Sequence, residues 1–172
     1  MMINSHNDSA VMLAEGISGS AADFVARMNR RGRELGLTSV KFNSPNGLPQ
    51  GKQRVNSFAS AADIAHICEL LLPYPEVMRL CTMKSARLHT GRQVYSHNNL
   101  LLGPDKRHPR RRPVRGIIGF KTGLTNAAGC CLAFGVRRDG RTVIGCVTGF
   151  KSVIERDEFC RELIEWAYRK PR

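Results

Sequence analysis

The stretch that decides the fold is Gly119-Phe120-Lys121-Thr122-Gly123-Leu124-Thr125, followed by Asn126-Ala127-Ala128-Gly129. It lies between an apolar pair, Ile117-Ile118, and a second strand-like run over residues 131–136. The sequence therefore predicts a Lys-Thr pair, flanked by glycines, at the end of a strand. Glycine lets a ligand approach the backbone, and an extended peptide can add to a strand edge. Lys121 and Thr122 would suit a carboxylate, although the triplet alone also fits a surface Lys-Thr before an ordinary turn.

A second polar motif, Ser5-His6-Asn7-Asp8, stands near the start of the chain. Its Ser-x-Asn pattern places a hydroxyl and an amide side by side on a turn that enters a helix. Triplets of this kind, together with Lys-Thr-Gly, belong to the signature set of penicillin-binding proteins and class A β-lactamases. With these motifs, Arg156 and the run Phe42-Asn43-Ser44-Pro45-Asn46-Gly47-Leu48-Pro49, the chain resembles the serine D-alanyl-D-alanine carboxypeptidases, the low-molecular-weight penicillin-binding proteins. The resemblance covers nearly all 172 residues.

The resemblance implies catalytic roles for three of the matching residues. Ser5 would relay a proton toward the departing amine. Asn7, which offers both a donor and an acceptor, would hold the substrate amide and a catalytic lysine. Lys121 would stabilise developing negative charge and favour a neutral neighbouring amine. His6 departs from the family pattern, in which a small residue is usual, and its ring would either narrow the groove or point to solvent.

The resemblance also implies substrate-binding roles. Thr122 would bind the C-terminal carboxylate of the substrate, with Gly123 beside it on the strand. The backbone N–H of Leu124 would form one half of an oxyanion hole. Arg156 would draw in the same terminal carboxylate. The alternative for Arg156 is a helix-surface arginine paired with Glu155 or Asp157.

The nucleophile motif of this family, Ser-x-x-Lys, is absent, because no serine in the sequence has a lysine three residues later. Thr38 to Lys41 and Cys81 to Lys84 have the spacing but the wrong first residue. We therefore expect residues 1–172 to form a single partial catalytic domain, truncated at its N-terminus and inactive alone.

Three functions stay open at this point. One is a segment of a D-Ala-D-Ala carboxypeptidase, which removes terminal D-alanine from peptidoglycan stem peptides through an acyl-enzyme. Another is a non-catalytic relic or module that binds those peptides. The last is a basic nucleic-acid-binding protein, which only the charge supports. The resemblance implies peptidoglycan D-Ala-D-Ala peptides as partners and, in the full-length protein, β-lactams.

The net charge is +13, and it is densest from Lys106 to Arg115. Pro109 and Pro113 oppose a regular helix there, and no aromatic residue is interleaved to stack on bases. An exposed basic loop is therefore expected rather than a binding patch, and no nucleic acid is expected as partner. No apolar run is long enough to span a membrane, and residues 1–4 lack the features of a signal peptide. The resemblance implies the periplasm or cell envelope for the full-length protein.

The six cysteines form no Cys-x-x-Cys motif, and no histidine stands at zinc-finger spacing. No metal site and no cofactor are therefore expected. Most of the cysteines lie among apolar neighbours and are predicted to be small buried hydrophobes. The even count also permits disulfides in an exported protein, so their redox state stays open.

The pattern of the whole chain predicts an α+β fold, in which a helical part precedes an antiparallel sheet covered by a C-terminal helix. The resemblance implies the fold of penicillin-binding proteins and serine β-lactamases. Capping residues predict helix starts at Ser20, Ser60 and Ser152, and Asp139-Gly140 predicts a hairpin turn. Two helix faces are predicted to be buried. They consist of Val11, Met12 and Ala14 in the first helix, and of Phe159, Leu163 and Trp166 in the last.

Overall fold

The computed structural model describes residues 1–171, which divide into two compact units. The first unit consists of Met1 and residues 5–64, and the second begins with residues 2–4 and continues from residue 65. Helices come first along the chain, then antiparallel strands, then a terminal helix. This order confirms the predicted fold class.

The first unit contains helices α1 (Asn7–Ser18) and α2 (Ala21–Glu34). The predicted cap of α2 is confirmed, because the Ser20 hydroxyl accepts the Asp23 backbone N–H at 3.0 Å. After α2 the chain forms two isolated antiparallel bridges, Lys41 with Phe58 and Gln50 with Val55. These bridges and the turns between them lead to the next helix, as expected of a connector.

The predicted inner face of α1 is only partly correct. Ala14 is buried, as predicted, and so is Ala10 one turn earlier. Met12, in contrast, is 70% exposed, so its predicted burial was wrong. Two alanines four residues apart form a flat stripe, and α1 packs against α2. The buried face of α1 is therefore the one that carries these two alanines, and Met12 lies off that face.

The second unit contains most of α3 (Ala61–Leu71), α4 (Pro75–Thr82), and a hairpin of β1 (Ser85–Arg87) and β2 (Gln93–Tyr95). A second antiparallel sheet follows, with β3 (Ile117–Thr125), β4 (Gly129–Arg138) and β5 (Arg141–Phe150) in the order β3-β4-β5. The last helix is α5 (Val153–Arg169). The predicted Asp139-Gly140 turn joins β4 to β5, with φ of 49° and 72° at the two residues.

The core of this unit lies between β4 and α5. Leu132, Phe134 and Val136 are almost wholly buried and pack with Cys160 and Ile164 of α5. The period of two along β4 puts these three large side chains on one face, as the alternation in the sequence predicts.

The predicted inner face of α5 is only partly correct, because Leu163 packs against the core but Phe159 and Trp166 do not. Phe159 and Trp166 are 45% and 51% exposed, while Cys160 and Ile164 are fully buried. The large side chains of β4 already fill the space under the helix. Smaller side chains therefore fit there, and Phe159 packs beside the sheet against Phe150, with ring centroids 5.3 Å apart.

All six cysteines are free thiols. Burial raises the pKa of Cys68 to about 12 and that of Cys81 to about 11. Because burial disfavours the thiolate, these two side chains act as small apolar groups, as predicted. The loop over residues 106–115 has no helix or strand and is mostly exposed, which confirms the predicted basic loop.

Candidate functional site

The Lys-Thr-Gly triplet lies inside β3 and not beyond its end, because β3 continues to Thr125. Among the described strands, β3 is an edge of the sheet, with β4 on one side only. Its pairing with β4 shifts between Ile118, opposite Gly135, and Lys121, opposite Ala133. This irregularity is a β-bulge, a feature that re-aims side chains and is common beside active sites. The bulge therefore sets the direction of Lys121.

Lys121 is half-buried, and its ammonium group donates to the backbone carbonyl of Thr122 at 2.7 Å. Burial lowers the pKa of Lys121 below its ordinary value, because desolvation disfavours the charged form. A cation held in partly dry surroundings interacts more strongly with an anion than one in bulk water. The position of Lys121 is thus suited to stabilising negative charge.

Gly119 and Gly123, the two glycines of the motif, have different structural roles. A Cβ placed on Gly119 would lie 2.8 Å from both Nδ2 of Asn98 and Cγ of Leu101, which is too close for a real contact. A Cβ on Gly123 would meet only Cβ of Cys131, at an ordinary 3.5 Å. Gly119 is therefore required by packing, which corrects the expectation that both glycines open the backbone to a ligand. Gly123 is exposed, so that expectation stays a prediction for Gly123.

Asn98 supports the bulge, although sequence reasoning gave it no role. It is 2% exposed, and its Nδ2 donates to the Gly119 carbonyl at 3.3 Å. Its Oδ1 accepts the backbone N–H of Leu100 at 2.9 Å. A fully buried amide with both ends bonded fixes the backbone that it touches. The only sequence signal was the pair Asn98-Asn99 at the start of a turn.

Arg156 is buried, with 2% of its surface exposed, so the alternative of a helix-surface arginine does not hold. Its Nη2 and Nε donate to Oδ1 of Asp157 at 2.6 and 2.9 Å, which is the pairing that this alternative proposed. Its Nη1 donates to the carbonyl of Cys131 at 3.3 Å, and Cys131 lies opposite Gly123 in the register of β3 and β4. Asn99 donates to the other carboxylate oxygen of Asp157 at 2.9 Å. Arg156 thus lies beside the strand that pairs with the triplet, with its charge compensated by Asp157.

The Ser-x-Asn motif belongs to the first unit. Ser5 has a φ of 54°, in the left-handed region, and its N–H donates to the Met1 carbonyl at 2.8 Å. His6 takes the cap position of α1 without a side-chain cap bond, and Asn7 is the first helical residue and exposed. A left-handed serine costs about 1–2 kcal/mol, and such strain clusters at functional sites. The motif therefore occupies a tight turn at a helix start, as predicted.

Thr122, Gly123 and Leu124 follow Lys121 directly on β3, and Leu124 is 70% exposed. The turn beyond them is held by the Thr125 hydroxyl, which accepts the Ala128 N–H at 3.0 Å. The structure therefore brings Lys121, Thr122, Gly123 and Leu124 together on one edge strand. The common action of Ser5 and Asn7 with this strand stays a prediction.

Within residues 1–171, no group of three or more His, Cys, Asp or Glu side chains is arranged to bind a metal ion. None of the helices in the same range has the length and apolar character needed to cross a bilayer.

The D-alanyl-D-alanine carboxypeptidase family matches residues 1–152. The chain is similar to D-alanyl-D-alanine carboxypeptidase DacF of Bacillus subtilis, with 31% identity over 96% of the chain and 40% of that relative. It is similar to D-alanyl-D-alanine carboxypeptidase DacA of Haemophilus influenzae, with 29% identity over 98% of the chain and 40% of the relative. The chain thus spans about 40% of the length of these two curated relatives.

Comparison with a solved structure supports the predicted fold. The fold is similar to that of penicillin-binding protein D2 from Listeria monocytogenes in its cefotaxime-bound form. The TM-score is 0.84 and the identity 26%, over 98% of this chain and 64% of that one. The predicted fold class is therefore confirmed at the level of the family.

Proposed function

Because the chain belongs to the D-alanyl-D-alanine carboxypeptidase family, we propose that it recognises D-Ala-D-Ala peptides for a serine-type carboxypeptidase. In the proposed reaction of the whole protein, a serine hydroxyl attacks the carbonyl carbon of the penultimate D-alanine. The amide C–N bond breaks, the terminal D-alanine leaves with a proton, and water then hydrolyses the acyl-enzyme. The nucleophile is not among these residues, since no serine here has a lysine three positions later.

The proposal gives a role to each residue of the site. Ser5 relays the proton to the leaving amine, and Asn7 holds the substrate amide. Lys121 attracts the terminal carboxylate of the bound peptide and stabilises the developing oxyanion during the reaction. Thr122 binds the same carboxylate. These roles come from the family likeness and agree with the chemistry of each group, since a cation and a hydroxyl suit a carboxylate.

Gly123, Leu124 and Arg156 complete the proposed binding strand. The exposed Gly123 leaves the backbone open to an extended peptide, and the N–H of Leu124 supplies one oxyanion donor. Arg156 holds the neighbouring strand through the Cys131 carbonyl and adds positive charge behind the carboxylate. Because Asp157 compensates this charge, the contribution of Arg156 is smaller than that of Lys121.

The observation that carries the proposal is the half-buried Lys121 beside a β-bulge on an edge strand, with Thr122 and an open Gly123 after it. An edge strand offers backbone donors and acceptors to a further strand. An extended peptide with a free carboxylate is the ligand that such a strand and cation accept together.

Isothermal titration of the chain with an acyl-Lys-D-Ala-D-Ala peptide tests the proposal. We expect binding at millimolar peptide, and at least about tenfold weaker binding in Lys121→Met, because one charge-assisted hydrogen bond is worth about 1.5–3 kcal/mol. Lys52→Met, in an exposed loop of the first unit, is the matched control and should bind as the wild type. No heat at millimolar peptide, or an equal loss in the two variants, would refute the proposal.

Whether Asn7 and Lys121 act on the same ligand is a separate test. A double-mutant cycle of Asn7→Ala and Lys121→Met should show a coupling energy above about 0.5 kcal/mol, as residues that share a partner do. If the losses of binding free energy in the two single variants simply add in the double variant, Asn7 does not belong to the proposed site. The isolated chain should release no D-alanine from the peptide, and penicillin-sensitive release would contradict the missing nucleophile.

A second candidate function is a peptide-binding module without catalysis, which the absence of Ser-x-x-Lys favours. It predicts the same titration, and it predicts that a longer form of the protein is not acylated by labelled penicillin. The proposed carboxypeptidase acts in the periplasm or envelope, with β-lactams as ligands of the full-length protein, and it needs no nucleic acid.

A further inference from the structure

Three segments of the second unit form one surface, which we call the basic end. They are residues 105–115, the β4–β5 turn over 137–141, and residues 161–170 of α5 and its cap. Arg138 donates to the Arg115 carbonyl at 2.9 Å, and Arg161 donates to the Arg112 carbonyl. Arg141 donates to the Lys170 carbonyl at 2.8 Å. These contacts join the loop, the turn and the helix.

The basic end holds most of the excess charge of the chain. Its three segments contain twelve Lys and Arg against four Asp and Glu, a net charge of +8 out of +13. Three of the acids are already used in ion pairs, in which Asp105 binds Arg111, Asp139 binds Arg115, and Glu165 binds Arg138.

Four cations of the loop have no such compensation. Lys106, Arg107, Arg110 and Arg112 are exposed, and no acidic side chain of residues 1–171 forms an ion pair with them. Like charges held close together repel one another. An external polyanion would remove that repulsion.

A cleft of about 370 Å³ adjoins the basic end. Arg79 of α4 and Arg137 of β4 line it, and Met78, Ile117 and Ile118 give it an apolar floor. Arg137 also belongs to the basic end, and its N–H donates to the carbonyl of Gly116, another lining residue, at 2.8 Å. Arg79 also forms an ion pair with Glu76 at 3.2 Å, but both side chains are exposed, and such a pair is weak in water. Nε of Arg137 donates to the Thr142 hydroxyl at 3.3 Å. The cleft therefore combines two arginines with an apolar surface, which suits an anion with an apolar body.

The sequence favours a plain exposed loop over a binding patch, but the structure joins this loop to the β4–β5 turn and to α5 in one charged surface. We therefore propose, against that expectation, that the basic end is a binding surface for a membrane that contains acidic phospholipids, and that the cleft takes one lipid. The loop arginines would contact headgroup phosphates, as clustered basic residues do at anionic bilayers. The apolar floor between Arg79 and Arg137 would contact the first part of an acyl chain.

The cleft and the loop favour a lipid over a nucleic acid. Single-stranded nucleic acid is bound by aromatic platforms among basic residues, and the loop from Asp105 to Arg115 has no Phe, Tyr or Trp. The two aromatic rings of the basic end, Trp166 and Tyr168, are already covered on one face by Lys170 and by Arg138 and Arg141. The apolar side chains between Arg79 and Arg137 offer no hydrogen bond to a phosphodiester backbone, whereas they can contact an acyl chain.

The surface lies at the far end of the sheet from the proposed peptide-binding residues. β3 runs from Ile117, beside the basic end, to Thr125. Eight residue steps at about 3.3 Å give roughly 26 Å between these two residues. A chain bound to a membrane through the basic end would therefore keep the turn after Thr125 away from the bilayer.

Co-sedimentation of the purified chain with vesicles tests this proposal. The test vesicles are phosphatidylcholine with roughly one-third phosphatidylglycerol, an acidic lipid, and the reference vesicles are phosphatidylcholine alone. We expect binding to the acidic vesicles only, and a fall in binding as salt rises. The assay contains no peptide ligand, so its result is independent of whether the chain binds D-Ala-D-Ala peptides.

Two matched variants locate the surface. Arg107→Gln, Arg110→Gln and Arg112→Gln together should weaken binding to acidic vesicles roughly a hundredfold, since each basic residue near such a surface contributes about fivefold. The control removes three exposed arginines of α2, with Arg27→Gln, Arg30→Gln and Arg33→Gln, and should change binding less than about threefold. Circular dichroism verifies that both variants are folded.

A single change tests the cleft, because Arg79→Gln should weaken binding to acidic vesicles about fivefold while the fold is kept. Three results would overturn the proposal. They are no binding to acidic vesicles, an equal loss in the loop variant and the α2 variant, and tighter binding to duplex or single-stranded DNA than to acidic vesicles at the same salt.

Discussion

Gly119→Ala should destabilise the second unit, because its new methyl group has no space. The added Cβ would lie 2.8 Å from Nδ2 of Asn98 and from Cγ of Leu101, and both side chains are buried, with 2% and 4% exposure. Overpacking of this kind costs about 1–3 kcal/mol. Loss of the Asn98 bond to the Gly119 carbonyl adds about 1 kcal/mol. The lower entropy of the unfolded alanine chain offsets about 0.4–1 kcal/mol of this loss, so the net loss of unfolding free energy is about 1–3.5 kcal/mol.

Gly123→Ala is the matched control, four residues further along the same strand. Its Cβ would meet only Cβ of Cys131 at 3.5 Å, an ordinary contact. Alanine is favoured over glycine in a strand by about 0.5–1 kcal/mol, so stability should stay equal or rise slightly. Peptide binding should fall, because the methyl group occupies the exposed side of the proposed binding strand.

Urea unfolding and peptide titration separate the two effects. With a slope of about 2 kcal/mol per molar, the midpoint of Gly119→Ala should fall by about 1 M, and that of Gly123→Ala should not fall. An unchanged midpoint in Gly119→Ala, or equal losses in both variants, would refute the packing role of Gly119. Unchanged peptide binding in Gly123→Ala would refute the open-backbone role of Gly123.

Three further predictions concern the interior of the second unit. Asp157→Asn should cost about 3–5 kcal/mol of unfolding free energy in urea, because it leaves the buried Arg156 charge uncompensated, and a loss under 1 kcal/mol on this rough scale would contradict that role. Above about pH 9, stability should fall with pH, because the unfolded Cys68 thiol ionises near 9.0 while the folded thiol has a pKa of about 12. Urea unfolding of the reduced chain at about pH 8 and about pH 10 measures this fall, which should be smaller in Cys68→Ala. Tyr168→Phe should lower stability by about 1–2 kcal/mol, because the hydroxyl lies 2.8 Å from the Val136 carbonyl and 3.0 Å from that of Arg141; an unchanged melting temperature would exclude that contribution.

The sequence predicted the features that depend on near neighbours. The Ser20 cap of α2 and the Asp139-Gly140 turn need only groups within a few residues, and both were correct. The alternation along β4 also gave the right buried face, because a strand repeats every two residues. Helix faces were less certain, since α5 carries two apolar stripes. The pattern predicts burial of Phe159, Leu163 and Trp166, and of these only Leu163 packs against the core, while Cys160 and Ile164 lie fully buried beside β4.

The residues of the candidate site come from the sequence, and their common action stays a prediction, whereas the groups that support Lys121 and Arg156 were missed. Lys121, Thr122 and Gly123 were identified from the triplet, and Ser5 and Asn7 from the second motif. No sequence pattern indicates that Gly119 serves packing, that Asn98 holds the bulge, or that Arg156 is buried against a carbonyl of β4. Each of these depends on a partner that is not near in sequence.

The amino-acid sequence by itself determined the order of the elements, the helix caps, the hairpin turn and the family of the chain. Only the tertiary structure decided that Lys121 is half-buried with a lowered pKa, that a bulge precedes it, and that Arg156 is buried and donates to the Cys131 carbonyl. The physical reason is the distance along the chain. Caps and turns are satisfied within about four residues, whereas Asn98 reaches Gly119 across 21 positions and Arg156 reaches Cys131 across 25.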